Sequence, residues 1–103
     1  MTDLPSRIEA ADESEQRELL LEAFDAIFPE GEADRLFRFV RMLNAEAYES
    51  AAMMLVPGGC PPIRLYITDK ATAVFIGDIE ACALTPALAL AAASLRAQEG
   101  EGL

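Results

Sequence analysis

The chain has 103 residues, 52% of them hydrophobic, enough for one compact domain with a modest core and far from the polar, highly charged compositions that stay disordered. Eighteen acidic residues against eight basic ones leave a formal charge of -10, and residues 1–34 hold eleven acids against Arg7 and Arg17 alone. Nucleic-acid binding relies on Lys and Arg neutralising phosphates, so this balance excludes general DNA or RNA binding and suits a basic protein surface as partner.

Residues 1–11 carry acids and a proline and lack the apolar stretch of a secretory signal, and no run is long enough to cross a bilayer, so a cytoplasmic location is expected. Residues 1–13 read as a loosely ordered N-terminus. Residues 15–28 read as the first helix, because Leu20, Phe24, Ile27 and Phe28 recur at helical spacing, with Ser14 as its N-cap. Pro29 and Gly31 interrupt the pattern. Residues 32–44 carry a second stripe of Leu36, Val40 and Leu43, and residues 45–55 are again helical in composition, so that 32–55 reads as one helix or two.

Beyond the Gly58-Gly59-Cys60-Pro61-Pro62 loop the period changes to two. Ile63, Leu65 and Ile67 point one way and Arg64, Tyr66 and Thr68 the other, which predicts a strand with one wet face. A short connection over Asp69, Lys70 and Ala71 leads to a second strand at 72–76, and 79–83 reads as a third strand or an extended approach to the last helix. Thr85-Pro86 is the clearest local signal: threonine caps a helix and proline fills its first position, where no donor is needed. From Ala87 to Ala93 every residue is apolar, and a helix apolar on all sides needs cover on all sides. In so small a chain this predicts a homo-oligomer, most simply a dimer, with Leu88, Leu90 and Leu95 at the interface. The tail at 98–103 is polar and broken by glycine and reads as flexible. The expected fold is α+β: residues 1–103 as a single domain, with a small antiparallel hairpin or three-stranded sheet layered with three to four helices.

Three runs occur in order: Ser50-Ala51-Ala52-Met53-Met54-Leu55-Val56-Pro57-Gly58-Gly59, then Arg64-Leu65-Tyr66-Ile67-Thr68-Asp69, then Ala83-Leu84-Thr85-Pro86-Ala87-Leu88-Ala89-Leu90-Ala91. Through them residues 47–98 resemble small tailed-phage and prophage proteins of the phage ABA sandwich type, and residues 4–22 look like the usual opening of that group. The resemblance implies a phage or prophage source and a layered fold of helices and strands. It brings no catalytic residues with it.

Histidine is absent, which removes Ser-His and Cys-His nucleophiles and histidine metal sites, and proline after Gly58-Gly59-Cys60 spoils a phosphate loop. The chain is therefore expected to be no enzyme and to need no metal or cofactor. Cys60 and Cys82 form no CxxC pair and read as reduced thiols, Cys82 as core packing and Cys60 as loop filler. Glu15, Glu18, Glu22 and Asp25 form an acidic helix face able to occupy a basic groove of a partner protein. Arg35, Arg38 and Arg41 recur every third residue and could clamp a phosphate or carboxylate, with Tyr48 or Tyr66 stacking on a base; alternatively they pair with Glu32, Asp34 and Glu46 as surface ion pairs. Three functions remain open: a phage protein that antagonises a host defence component through its acidic surface, an oligomeric sponge for a nucleotide signal, and an accessory or virion-assembly protein.

Overall fold

Asp3 accepts a hydrogen bond from the Ser6 amide at 3.0 Å, with Pro5 near the helix start, and this cap launches helix α1 (Leu4–Glu9). The computed structural model describes residues 3–29, 33–56 and 62–101, with side chains as far as residue 98. Residues 4–9, expected in a loose N-terminus, are thus helical, and Pro5 and Ile8 are buried in the core. The apolar Leu4, Pro5 and Ile8 supply the reason: even a six-residue helix holds when it has a core to dock on.

A single 3-10 turn (Glu13–Glu15) then leads into α2 (Gln16–Ile27). Its N-terminal device is a capping box in which Asp12 accepts from the Ser14 amide at 2.9 Å and Glu15 accepts from the Asp12 amide. Ser14, expected to be the cap, instead donates its hydroxyl to Asp12. The cap thus lies two residues earlier than expected and serves the 3-10 turn, from which α2 continues with no side-chain cap of its own. Leu19, Leu20, Ala23 and Phe24 form the buried face of α2.

Residues 33–53 form two helices, α3 (Ala33–Asn44) and α4 (Tyr48–Met53). The break is a helix stop in which Glu46 takes φ 60°, its amide bonds the Leu43 carbonyl at 3.0 Å, and the Ala47 amide reaches back to the Met42 carbonyl at 2.8 Å. Glycine normally fills this left-handed position, and with a glutamate there the sequence leaves one helix or two open. Phe39 and Leu43 anchor α3, which packs chiefly on α4.

Strands β1 (Ile63–Ile67), β2 (Thr72–Ile76) and β3 (Ile79–Ala83) form an antiparallel sheet in sequence order. The first hairpin closes through Thr68, whose amide and hydroxyl both donate to the Ala71 carbonyl at 2.9 Å. The second uses Gly77-Asp78 between the paired Ile76 and Ile79, with Gly77 at φ 61°, the positive value that a tight hairpin turn needs at this position.

The last helix, α5 (Pro86–Glu101), begins where Thr85-Pro86 predicts and carries helical structure into the segment expected to be a flexible tail. The Thr85 hydroxyl accepts from the Leu88 amide and donates to Gln16 at 2.7 Å, so one threonine caps α5 and ties it to the start of α2. Helix α5 is the centre of the molecule: β2 and β3 pack on it, and so do α1, α2 and α4. Its many alanines let these five neighbours approach closely.

This placement overturns the oligomer interface read from the sequence. Leu88, Leu90 and Leu95 are 0%, 2% and 5% exposed and belong to the core of a single chain. The all-apolar helix is covered on every side by elements of its own chain. The result is one α+β globule with a radius of gyration of 12.5 Å, close to the roughly 13 Å of a folded chain of this length. Among the described residues it has five α-helices and three strands.

The same packing explains β1. A helix is about 10 Å wide and strands lie about 4.8 Å apart, so one helix covers two strands. Helix α5 covers β2 and β3, and β1 overhangs: Leu65 and Ile67, expected to face the core, are 41% and 65% exposed.

Candidate functional site

Burial of Leu19, Leu20, Ala23 and Phe24 fixes the rotation of α2 and turns Glu18, Glu22 and Asp25 to solvent, with Glu15 continuing the stripe from the preceding turn. All four are exposed, and the exposed Asp12 and Glu13 extend the acidic face at its N-terminal end. Two of the four have internal duties. Glu15 belongs to the capping box, and Glu22 pairs with Arg7 of α1 at 3.1 Å, with both side chains about half exposed. Such an exposed pair contributes little to stability. The side chains of Glu18 and Asp25 have no hydrogen bond or ion pair to any described residue.

On α3, Arg38 and Arg41 are exposed, away from the buried Phe39 and Leu43, and Arg35 is half-buried one turn before Phe39. Arg38 lines two neighbouring hollows: one of about 390 Å³ with Ala33, Asp34 and Arg35, the other of about 300 Å³ with Arg41, Met42, Ala45 and Ala47. The ring of Phe28 lies 4.5 Å from the Arg35 guanidinium, and that of Phe37 lies 5.9 Å from Arg41. Neither Asp34 nor Glu46 forms an ion pair with Arg38 or Arg41, and Glu32 lies outside the described residues. The ion-pair reading of the stripe is thus not realised for Arg38 and Arg41 among the described residues, and their donors are available to an anion. Neither tyrosine lines these hollows. Tyr48 is half-buried at the start of α4 and packs on the core, and Tyr66 lies on β1 in edge contact with Phe75 at 5.6 Å.

A third cluster has no counterpart in the sequence reading. Glu9 at the end of α1 accepts a hydrogen bond from Arg96 of α5 through one oxygen and from the Cys82 amide of β3 through the other, at 2.9 Å. Arg96 also donates to the Glu80 carbonyl at 3.2 Å. The Arg96 hydrogen bond outweighs partial burial, and with help from the Cys82 amide it holds the Glu9 carboxyl below its ordinary range. Separations of 73 and 87 residues hide this cluster from any local pattern.

Cys82 is an exposed free thiol on the outer face of β3, not the core residue expected, because the inward positions of that strand are Ile79, Ala81 and Ala83. Desolvation, reinforced by the neighbouring Glu80 carboxylate, pushes its pKa up, so it is held as a thiol rather than as a reactive thiolate. A hollow of about 380 Å³ adjoins it, lined also by Glu9, Lys70 and Leu84. Cys60 lies outside the described residues. Among the described residues no three Cys, Asp or Glu side chains gather as metal ligands, and no helix is long and apolar enough to cross a membrane. No family model, no curated protein and no solved structure matches the chain.

Proposed function

We propose that this chain is a binding protein of phage or prophage origin, working without a catalytic centre, whose acidic α2 face occupies a positively charged surface of a host protein. The observation that supports this reading is the stripe of Glu15, Glu18, Glu22 and Asp25, all exposed on a helix whose opposite face is locked into the core. A fixed row of like charge steers encounter with a basic groove and selects against acidic partners. A host defence component that holds nucleic acid offers such a groove.

The test is affinity capture from host cells at low ionic strength, comparing the wild-type chain with a variant in which Glu15, Glu18, Glu22 and Asp25 are all changed to Lys. A specific partner should be lost on charge reversal and kept when Arg35, Arg38 and Arg41 become Ala, and its association should slow on the order of tenfold as salt rises. Within the acidic set Glu18→Lys and Asp25→Lys are the cleanest substitutions, because neither disturbs the cap or the Arg7 pair.

A second reading draws on the hollows beside Arg38. Arg38 and Arg41, without carboxylate partners among the described residues, suit a ligand bearing a phosphate or carboxylate, such as the nucleotide of a signalling sponge. Calorimetric titration with purine nucleotides separates the two: binding that Arg38→Ala abolishes and the lysine variants leave intact assigns the function to α3.

A further inference from the structure

Among the described residues the outer edge of β1 is unpaired, and its geometry specifies which strand it can accept. The bond from the Thr68 amide to the Ala71 carbonyl makes those two residues a hydrogen-bonded pair. Bonded and non-bonded pairs alternate along an antiparallel ladder, so with the observed register the next bonded pairs are Tyr66 with Ala73 and Arg64 with Phe75. The amides and carbonyls of Ile63, Leu65 and Ile67 therefore point away from β2. The side chains of these residues lie on the α5 side of the sheet, beyond the two strands that α5 covers. Edge strands are ordinarily guarded by inward charges, bulges or prolines within the strand. β1 pairs with β2 without a bulge over all five residues, and its one charge, Arg64, lies over the Phe75 ring at 5.4 Å on the opposite face.

We propose that β1 pairs antiparallel with β1 of a second copy about a two-fold axis at Leu65, joining two three-stranded sheets into one of six strands. Three features favour a second copy over a foreign strand. The first is backbone parity. An axis at Leu65 sets the outward groups of Leu65 opposite Leu65 of the second copy and those of Ile63 opposite Ile67, so every outward donor meets an outward acceptor. The second is side-chain match. The apolar row Ile63, Leu65 and Ile67 meets its own reverse, and on the other face Arg64 comes opposite the Tyr66 ring of the second copy. The third is charge. Two chains of formal charge -10 repel, and residues 62–68 contain no acid and one arginine, so copies meet at this edge without bringing carboxylates together. Five residues a side bury less than the roughly 800 Å² per partner of a standard complex, so the dimer dissociates at a Kd on the order of micromolar.

The experiment is sedimentation velocity on the full chain and two variants from about 1 to 500 µM, with two cysteine variants as a cross-linking test. The wild-type mass should move from monomer to dimer across this range. Leu65→Pro removes only an outward amide and Ile67→Lys places a charge on the uncovered row. Both should remain monomeric throughout while keeping the wild-type circular dichroism spectrum, and Ile67→Lys decides the matter if Leu65→Pro fails to fold. In a background carrying Cys60→Ser and Cys82→Ser, Leu65→Cys should form an intermolecular disulfide on oxidation, and Phe37→Cys on exposed α3 should not. A wild-type chain that stays monomeric at 500 µM overturns the proposal. So does a dimer indifferent to both Leu65→Pro and Ile67→Lys, which assigns association to another face.

Discussion

Glu9 joins three elements that are distant in sequence, and removing its charge should loosen all three. Glu9→Gln keeps the size of the side chain but offers one carbonyl oxygen where the carboxylate offers two, so either Arg96 or the Cys82 amide loses its acceptor. Hydrogen bonds to charged groups contribute about 1.5–3 kcal/mol each, and here the partial exposure of both side chains and the remaining bond from Arg96 to the Glu80 carbonyl reduce that figure. The expected loss at neutral pH is about 1–2 kcal/mol for Glu9→Gln and about 2–3 kcal/mol for Glu9→Ala. Urea unfolding followed by circular dichroism measures both, and a cycle with Arg96→Met should give a coupling of about 1 kcal/mol. The pH dependence has a definite sign. A carboxylate whose pKa is depressed in the folded state stabilises the fold fully above its unfolded value, near pH 4, and that contribution is lost as pH falls through the folded value. The gap between wild type and Glu9→Gln should therefore be full at pH 7 and narrow below about pH 4. A gap that stays constant down to pH 3, or one below about 0.5 kcal/mol at pH 7, would refute the reasoning.

Two further substitutions should raise stability. Glu46→Gly relieves the left-handed backbone at φ 60° and should gain up to about 1 kcal/mol in the same urea assay, with Glu46→Ala giving no such gain. Ser94 is fully buried on α5 and its hydroxyl meets no hydrogen-bond partner, so Ser94→Ala should gain about 1 kcal/mol, read in calorimetry as a rise of roughly 4–8 °C in Tm. A fall in Tm for Ser94→Ala would mean that the hydroxyl is satisfied after all.

Local signals were legible wherever one residue type enforces one geometry. The Thr85-Pro86 cap, the alternation of Ile63 to Ile67 and the acidic side of α2 can all be read from neighbours within four positions, and the α+β class follows from them. What escaped the sequence depends on tertiary placement. The N-terminal helix is stable because Ile8 finds a core built 80 residues further on, and the break between α3 and α4 sits at a glutamate in a backbone region glycine normally occupies. The apolar run of α5 was correctly read as needing cover on all sides, but a periodicity argument cannot say whose residues provide it. Leu65 and Ile67 carry the pattern of core positions and are exposed, because the width of one helix decides how many strands it can cover. At the candidate sites the sequence named the α2 acids and the α3 arginines. It missed Glu9 with Arg96, whose partners are separated by most of the chain.

The central position of α5 also sets the timing of folding. Residues 86–97, around which the other elements are packed, are synthesised after the segments they hold together. At about 5–20 residues per second, the apolar faces of α1, α2 and α4 and the inner row of the sheet wait for some seconds with nothing to bury them. The full core therefore closes only once α5 is available. A nascent chain arrested at Ala83 would expose Ile8, Phe24, Leu55 and Val74 together, as a substrate for chaperones rather than a partly built domain.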